Sequence, residues 1–287
     1  MGCATGIVVR MRPMPFRNDD VNILPFIVAL FVLLSFISES SAAEEASLRI
    51  RGLFNNVSSV AGFKTGWGFS CLVEGSGKTV LFDTGGDGDI LLHNMGKMGI
   101  DPGTVDVIVL SHIHGDHVGG LRRFLQENPD VIVYLPATFP VSFKERIKSA
   151  GARYEAVGDS GRLFGSVYTT GEMGLSVKEQ SLVIRARKGL VVITGCAHPG
   201  IVNIVKKATE ICDENVSLVM GGFHLVGASG ERIGKIAHRL KKFGVERIAP
   251  SHCSGSLARE VFKEIWGDNF LESGVGSVIA IVDGASD

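Results

Sequence analysis

The sequence predicts an α/β layered fold, and three observations carry that prediction. Short apolar runs rich in β-branched residues recur along the chain, helix-period stretches lie between many of them, and glycine and turn residues cluster where the runs end. The runs that read as strands are 79–82, 105–110, 131–135, 182–184, 190–194, 218–220, 247–249 and 278–282, each too short for a helix. The helix-period stretches are 89–98, 121–127, 141–150, 201–211, 231–243 and 257–266. Residues 151–174 are glycine-rich and irregular, and read as a candidate loop over a site at the strand ends.

The amino-terminal segment is set apart from this pattern. Residues 23–37 read ILPFIVALFVLLSFI, shorter than the roughly 20 apolar residues a spanning helix needs. Arg10, Arg12 and Arg17 give it a basic flank, and Ser40, Ser41, Ala42 and Ala43 supply the small residues of a cleavage site before Glu44. Residues 1–43 are therefore expected to be a signal peptide and 44–287 a single exported domain, periplasmic or secreted. The alternative is an uncleaved anchor that ties the protein to a membrane, and Met11 or Met14 is an alternative start. The four cysteines that follow, Cys71, Cys196, Cys212 and Cys253, are widely spaced without a C-x-x-C pair, and read as small buried side chains rather than a disulfide framework or zinc ribbon. With 29 Lys+Arg against 30 Asp+Glu, interspersed, the chain lacks the basic stripe of a duplex-binding protein, so nucleic acid is not a favoured partner.

Chemistry concentrates in the histidines, six of whose eight follow strand runs. Ser111-His112-Ile113-His114-Gly115-Asp116-His117 is H-x-H-x-D-H. Alternate residues of an extended loop project to one side, so His112 and His114 can grip one cation, while Asp116 and His117, turning into the next helix, can face a second. Imidazole and carboxylate together suit Zn²⁺, with Mn²⁺ or Fe²⁺ as alternatives. His198, in Thr194-Gly195-Cys196-Ala197-His198, would complete a three-histidine set. His224 and His252 also follow strand runs, whereas His93 and His238 sit within helix patterns and read as ordinary. Trp67 and Phe69 are candidate pocket-lining aromatics, although an aromatic pair beside a strand more often joins the core.

These segments, with Leu81-Phe82-Asp83-Thr84-Gly85 ahead of them, resemble the metallo-β-lactamase fold superfamily. Glu179-Gln180-Ser181-Leu182, Gly195-Cys196-Ala197-His198-Pro199-Gly200, Gly221-Gly222-Phe223-His224-Leu225 and His252-Cys253-Ser254-Gly255 are similar to its subgroup labelled 7,8-dihydropterin-6-yl-methyl-4-(β-D-ribofuranosyl)aminobenzene-5′-phosphate synthase-like. The resemblance implies an αβ/βα four-layer sandwich over about 53–283. It also implies His112, His114 and His198 on a first cation, Asp116, His117 and His252 on a second, and Asp83 holding ligands by hydrogen bonds without binding metal itself. One departure stands out: where many members carry a bridging aspartate, this chain has His224, which would bind one ion, touch substrate or pack.

The expected activity is a metallohydrolase in which a metal-bound hydroxide attacks a small, anionic substrate of the phosphate ester, phosphodiester or thioester class. Asp116 is expected to orient the nucleophile and accept its proton, and His224 to contact the leaving group. Two alternatives stand beside it, a synthase-like transferase following the subgroup label and an exported β-lactam hydrolase.

Overall fold

The computed structural model describes residues 48–281; the expected signal peptide and its cleavage point lie outside the described residues. Thirteen strands build two mixed sheets. The first contains β1 (Leu48–Phe54), β2 (Ser70–Glu74), β3 (Val80–Phe82), β4 (Val107–Val109), β5 (Ile132–Pro136), β6 (Arg153–Val157) and, from the far end of the chain, β13 (Val278–Ile281), in the order β13-β1-β2-β3-β4-β5-β6. The second contains β7 (Gly161–Phe164), β8 (Val167–Thr169), β9 (Leu182–Ala186), β10 (Gly189–Thr194), β11 (Val216–Gly222) and β12 (Arg247–Ser251), in the order β12-β11-β10-β9-β8-β7.

Period-two alternation within the strands sorts the apolar side chains into three cores, and the three cores define four layers. Val80, Phe82, Val107 and Val109 point inward and meet Val191, Ile193, Leu218 and Met220 of the opposite sheet. Their neighbours Leu81 and Ile108 point the other way, onto Leu91 and Met95 of helix α1 (Gly88–Lys97), Leu121 and Phe124 of α3 (Leu121–Glu127), and Phe143 and Ile147 of α4 (Val141–Ser149). A short helix, α2 (Gly115–Val118), precedes α3. On the second sheet Val192, Val219 and Ile248 face Ile204 and Val205 of α5 (Ile201–Cys212), Ile233 and Leu240 of α6 (Gly230–Lys242), and Phe262 and Trp266 of α7 (Ser256–Trp266). The helix-sheet-sheet-helix order is the expected αβ/βα sandwich.

Residues 151–174 depart from expectation. They hold β6, β7 and β8, strands that end one sheet and begin the other, and do not form a loop over the site. The reason lies in their exposure: β6 and β7 are edge strands whose side chains are mostly exposed in the first and half-buried in the second, so they carry little of the apolar alternation by which a strand is read. β1 and β2 likewise escape the apolar pattern, because Arg49, Arg51 and Gly52 interrupt the former and Ser70 and Cys71 open the latter.

Strands β3 to β6 run parallel, as do β10 to β12. The carboxyl ends of β3, β4, β10, β11 and β12 are followed directly by Asp83, the His112–His117 loop, the Cys196–His198 loop, His224 and His252. This is where chains of alternating strands and helices commonly place chemistry, since backbone groups at strand ends are free of the ladder. Among the described residues no helix is long and apolar enough to cross a membrane.

Candidate metal centre

Asp83 organises the first histidine loop. Fully buried, its Oδ1 accepts the Ser111 backbone N–H at 2.7 Å, and its Oδ2 accepts the Ser111 hydroxyl and His117 Nδ1–H, each at 2.7 Å. A carboxylate can only accept, so these contacts dictate proton positions on the rings. Ser111 gives its one hydroxyl proton to Asp83, and its oxygen, 2.8 Å from His112 Nδ1, must accept from that ring. Both His112 and His117 therefore carry hydrogen on Nδ1 and present a bare Nε2. His252 reaches the same state by another route, donating Nδ1–H to Asn56 Oδ1 at 2.9 Å.

Among the described residues the donor atoms converge in three groups, the third of them Cys196, His198 and His224, which shares a member with each of the other two. His112 Nε2 and His114 Nδ1 are 3.1 Å apart, and donor atoms of His112, His114 and His198 all lie within 4.8 Å of one another. Two nitrogens on one tetrahedral zinc, each at about 2.0–2.1 Å, would stand about 3.3 Å apart, so the residues fit such an ion. Donor atoms of Asp116, His117, Cys196 and His252 form a second set within the same limit. Nε2 of His198 is buried and lacks a hydrogen-bond partner, and Nε2 of His252, also buried, faces Asp116 Oδ2 at 3.2 Å, lone pair against lone pair when the ring is neutral; both are costly unless something electropositive stands against them. The six ligand positions expected from sequence are thus brought together, three and three.

Burial and crowding make most of these rings hard to protonate, which leaves their lone pairs free. Burial, then the neighbouring rings, holds His112 far below its ordinary value and His198 down at about 4. His252 is also lowered by burial, in spite of Asp116 Oδ2 at 3.2 Å. His117 is the exception: burial opposes its charge, but Asp83 prevails and raises it. Asp116, against the pull of partial burial, is held at about 2 by His252 and His117.

Backbone strain accompanies this geometry. Among the described residues five non-glycine positions have positive φ, and four of them border the site: Asp83 at 53°, Ala197 at 58°, His224 at 52° and His252 at 49°. Such conformations persist only where surrounding contacts over-determine them. Gly195 is needed for close approach, since a Cβ there would stand 2.1 Å from Ser111 Oγ and 3.1 Å from Asp83 Oδ2.

Sequence reasoning assigned no role to Glu179 and Gln180, which stitch the histidine loops together. Glu179, just before β9 and 1% exposed, accepts the backbone N–H groups of Cys196 and Ala197 through Oε1 at 3.0 and 2.9 Å, and that of His198 through Oε2 at 2.8 Å. Burial raises its carboxyl while these donors pull it back. Gln180 donates Nε2–H to Leu110 O at 2.9 Å, and its own N–H goes to Ser111 O. The available signal was an acid and an amide opening an otherwise apolar strand run.

The remaining candidates divide. His224 is exposed, its ring 4.4 Å from that of His198, so it stands at the rim and not in the core. Trp67, 60% exposed, tilts against His252 with centroids 5.0 Å apart, whereas Phe69 is core. His238 is exposed on α6, bonded to Gly234 O, as an ordinary helix histidine. All four described cysteines are buried and free, but Cys196 and Cys253 do more than pack: their sulfurs lie 3.2 Å apart, and Cys196 Sγ is 3.2 Å from His117 Nε2. Without a cation, contact with Cys253, then burial, pushes the Cys196 thiol above its ordinary value, and the same contact lowers Cys253.

Two face-to-face sheets with histidine loops at one edge define the class as the metallo-β-lactamase fold. The family model of the metallo-beta-lactamase superfamily matches residues 68–207. A relative from Methanocaldococcus jannaschii, named 7,8-dihydropterin-6-methyl-4-(beta-D-ribofuranosyl)-aminobenzene-5′-phosphate synthase, is 34% identical over an alignment covering 74% of this chain and 89% of that protein. The chain belongs to the metallo-beta-lactamase superfamily. Among solved structures, a metal-dependent hydrolase of the beta-lactamase superfamily is similar at 30% identity and a TM-score of 0.68, covering 82% of this chain and all of the other. Human short-form tRNase Z, at 16% identity and a TM-score of 0.57 over 81% and 99%, shares the fold.

Proposed function

We propose that the protein is a metal-dependent hydrolase of small anionic substrates, in the phosphate ester, phosphodiester or thioester class. The observation that carries this reading is the convergence of bare ring nitrogens, with hydrogen locked on the far nitrogen of His112, His117 and His252 by Ser111, Asp83 and Asn56. When bound, divalent cations lower the pKa of coordinated water from 15.7 to about 7 and polarise a phosphoryl or carbonyl oxygen. Two such ions bring four positive charges against Asp116 in the ligand set, so the site favours an anion.

The chain's own residues do the rest. Asp116 is ionised at neutral pH and only partly buried, and a carboxylate oxygen can accept a proton from an attacking water. His224, exposed at the rim beside His198, would donate to a leaving group, and exposed Trp67 would offer a flat apolar face to the organic part of a substrate. Export of the mature chain past residue 43, expected from sequence, is part of this proposal.

A second reading, a transferase resembling the dihydropterin synthase, is favoured by one observation: a relative so named is 34% identical across 89% of its length. A panel of chromogenic phosphodiester, thioester and cephalosporin substrates, with and without chelator, separates the readings. Hydrolysis abolished by chelator and restored by zinc or manganese is expected, with Asp116→Asn folded but about 10²–10⁴-fold slower. Absence of bound metal after purification without chelator would overturn both readings.

A further inference from the structure

We infer that Cys196 supplies a thiolate ligand to the second cation, with the Cys253 thiol hydrogen-bonded to its sulfur. The inference deepens the metal-centre reading above and rests on it. A closed zinc site takes four protein ligands, and Asp116, His117 and His252 supply three. The strand end where the resemblance implies a carboxylate, Gly221-Gly222-Phe223-His224, contains no acid. Cys196 Sγ stands in the same cluster, with all four donor atoms within 4.8 Å of one another; it also lies within that limit of His198 and His224, but His198 is already a ligand of the three-histidine set and His224 is exposed at the rim.

The distances suit a shared ion. With bonds of about 2.3 Å to sulfur and 2.0–2.1 Å to nitrogen, the two donors would stand about 3.5 Å apart on a tetrahedral centre; Sγ to His117 Nε2 is 3.2 Å. Independently of the cysteine, buried His252 Nε2 and Asp116 Oδ2 face each other at 3.2 Å in the same cluster, two donor atoms that a shared cation would bridge. A soft thiolate is well matched to zinc. Ligation exchanges the S–H bond of Cys196 for a sulfur–metal bond, and the proton leaves to solvent.

Cys253 differs in role. Its Sγ is 3.2 Å from Cys196 Sγ and 3.7 Å from Cys196 O, and the four-residue cluster around Asp116 does not include it. In the metal-free protein the shared proton sits on Cys196; once ligation removes it, the Cys253 S–H turns toward the ligating sulfur and orients it as outer partners orient metal-bound groups.

Cobalt(II) substitution tests the assignment by absorption spectroscopy of the whole protein, alongside metal stoichiometry. Wild type is expected to show visible ligand-field bands and a near-ultraviolet sulfur-to-cobalt charge-transfer band. Cys196→Ser should lose the charge-transfer band and keep ligand-field absorption from the three-histidine set, while Cys253→Ser should keep the band, shifted. Circular dichroism checks that each variant is folded; if Cys196→Ser does not fold, presence of the band in wild type and Cys253→Ser still identifies Cys196. Cobalt binding without a charge-transfer band in wild type overturns this inference and leaves the metal centre standing, as does a band that survives Cys196→Ser or vanishes only in Cys253→Ser. No cobalt binding overturns the metal centre as well.

Discussion

Glu179 binds no metal in this arrangement, yet replacing it should weaken metal binding. Its two oxygens take three backbone N–H groups from consecutive residues, Cys196, Ala197 and His198, at 2.8–3.0 Å. Glu179→Gln keeps the volume and one acceptor oxygen. If that oxygen remains on the side of Cys196 and Ala197, two bonds survive as neutral ones, while the amide NH₂ faces the His198 N–H, donor against donor. Losing a charge-assisted hydrogen bond costs about 1.5–3 kcal/mol, and relief from burying a charge offsets part of it, leaving a net loss of about 2 kcal/mol. The relaxed turn no longer holds His198, and loss of such an outer partner lowers metal affinity about 10–100-fold. Urea unfolding of chelator-treated protein measures the first effect, and competition for zinc against a chromogenic chelator the second. If stability moves by less than about 0.5 kcal/mol, the scatter of a surface substitution, and affinity is unchanged, the carboxylate does not hold the turn and the reasoning fails.

Three further outcomes are expected. Asp83→Asn sets an amide NH₂ among three buried donors, and should cost about 3–5 kcal/mol and lower zinc affinity about 10–100-fold, checked by thermal unfolding and the same competition; wild-type affinity would show that His117 keeps its proton position without Asp83. Gly195→Ala forces a Cβ to 2.1 Å from Ser111 Oγ, so it should destabilise by about 1–3 kcal/mol and loosen the three-histidine set, whereas a neutral result in urea unfolding would mean the two loops can part freely. In chelator-treated protein the folded state keeps His198 neutral down to about 4, and burial lowers His112 and His252 also, while the unfolded rings protonate near 6.5. Their stabilising contribution is complete above about pH 6.5 and is lost as pH falls toward 4; His117, raised by Asp83, opposes this as one group against three. The urea midpoint should fall from pH 7 to pH 5, and a rise would contradict the assignment of neutral rings.

Legibility in the sequence followed the range of the interaction. H-x-H-x-D-H could be read because two residues of extended loop and a helix start fix where His112, His114, Asp116 and His117 project. Asn56 accepts the His252 Nδ1–H from 196 positions away, and no local pattern announces that contact. Glu179 sits 17 to 19 positions before the N–H groups it accepts, with β10 between. The edge strands β6 and β7 were hidden for a different reason, since solvent on their faces removes the apolar alternation.

The order of strands and helices, the layered class and the donor atoms at strand ends were therefore carried by the chain alone, because backbone periodicity and ligand chemistry act over a few residues. Which ring nitrogen is bare, the hold of Glu179 on the His198 turn, and the meeting of Cys196 with Cys253 across 57 positions arose only when the two sheets packed face to face. Packing brings strand ends from both sheets to one edge, and side chains remote in sequence then share a volume too small for unpaired polar atoms to stay indifferent to one another.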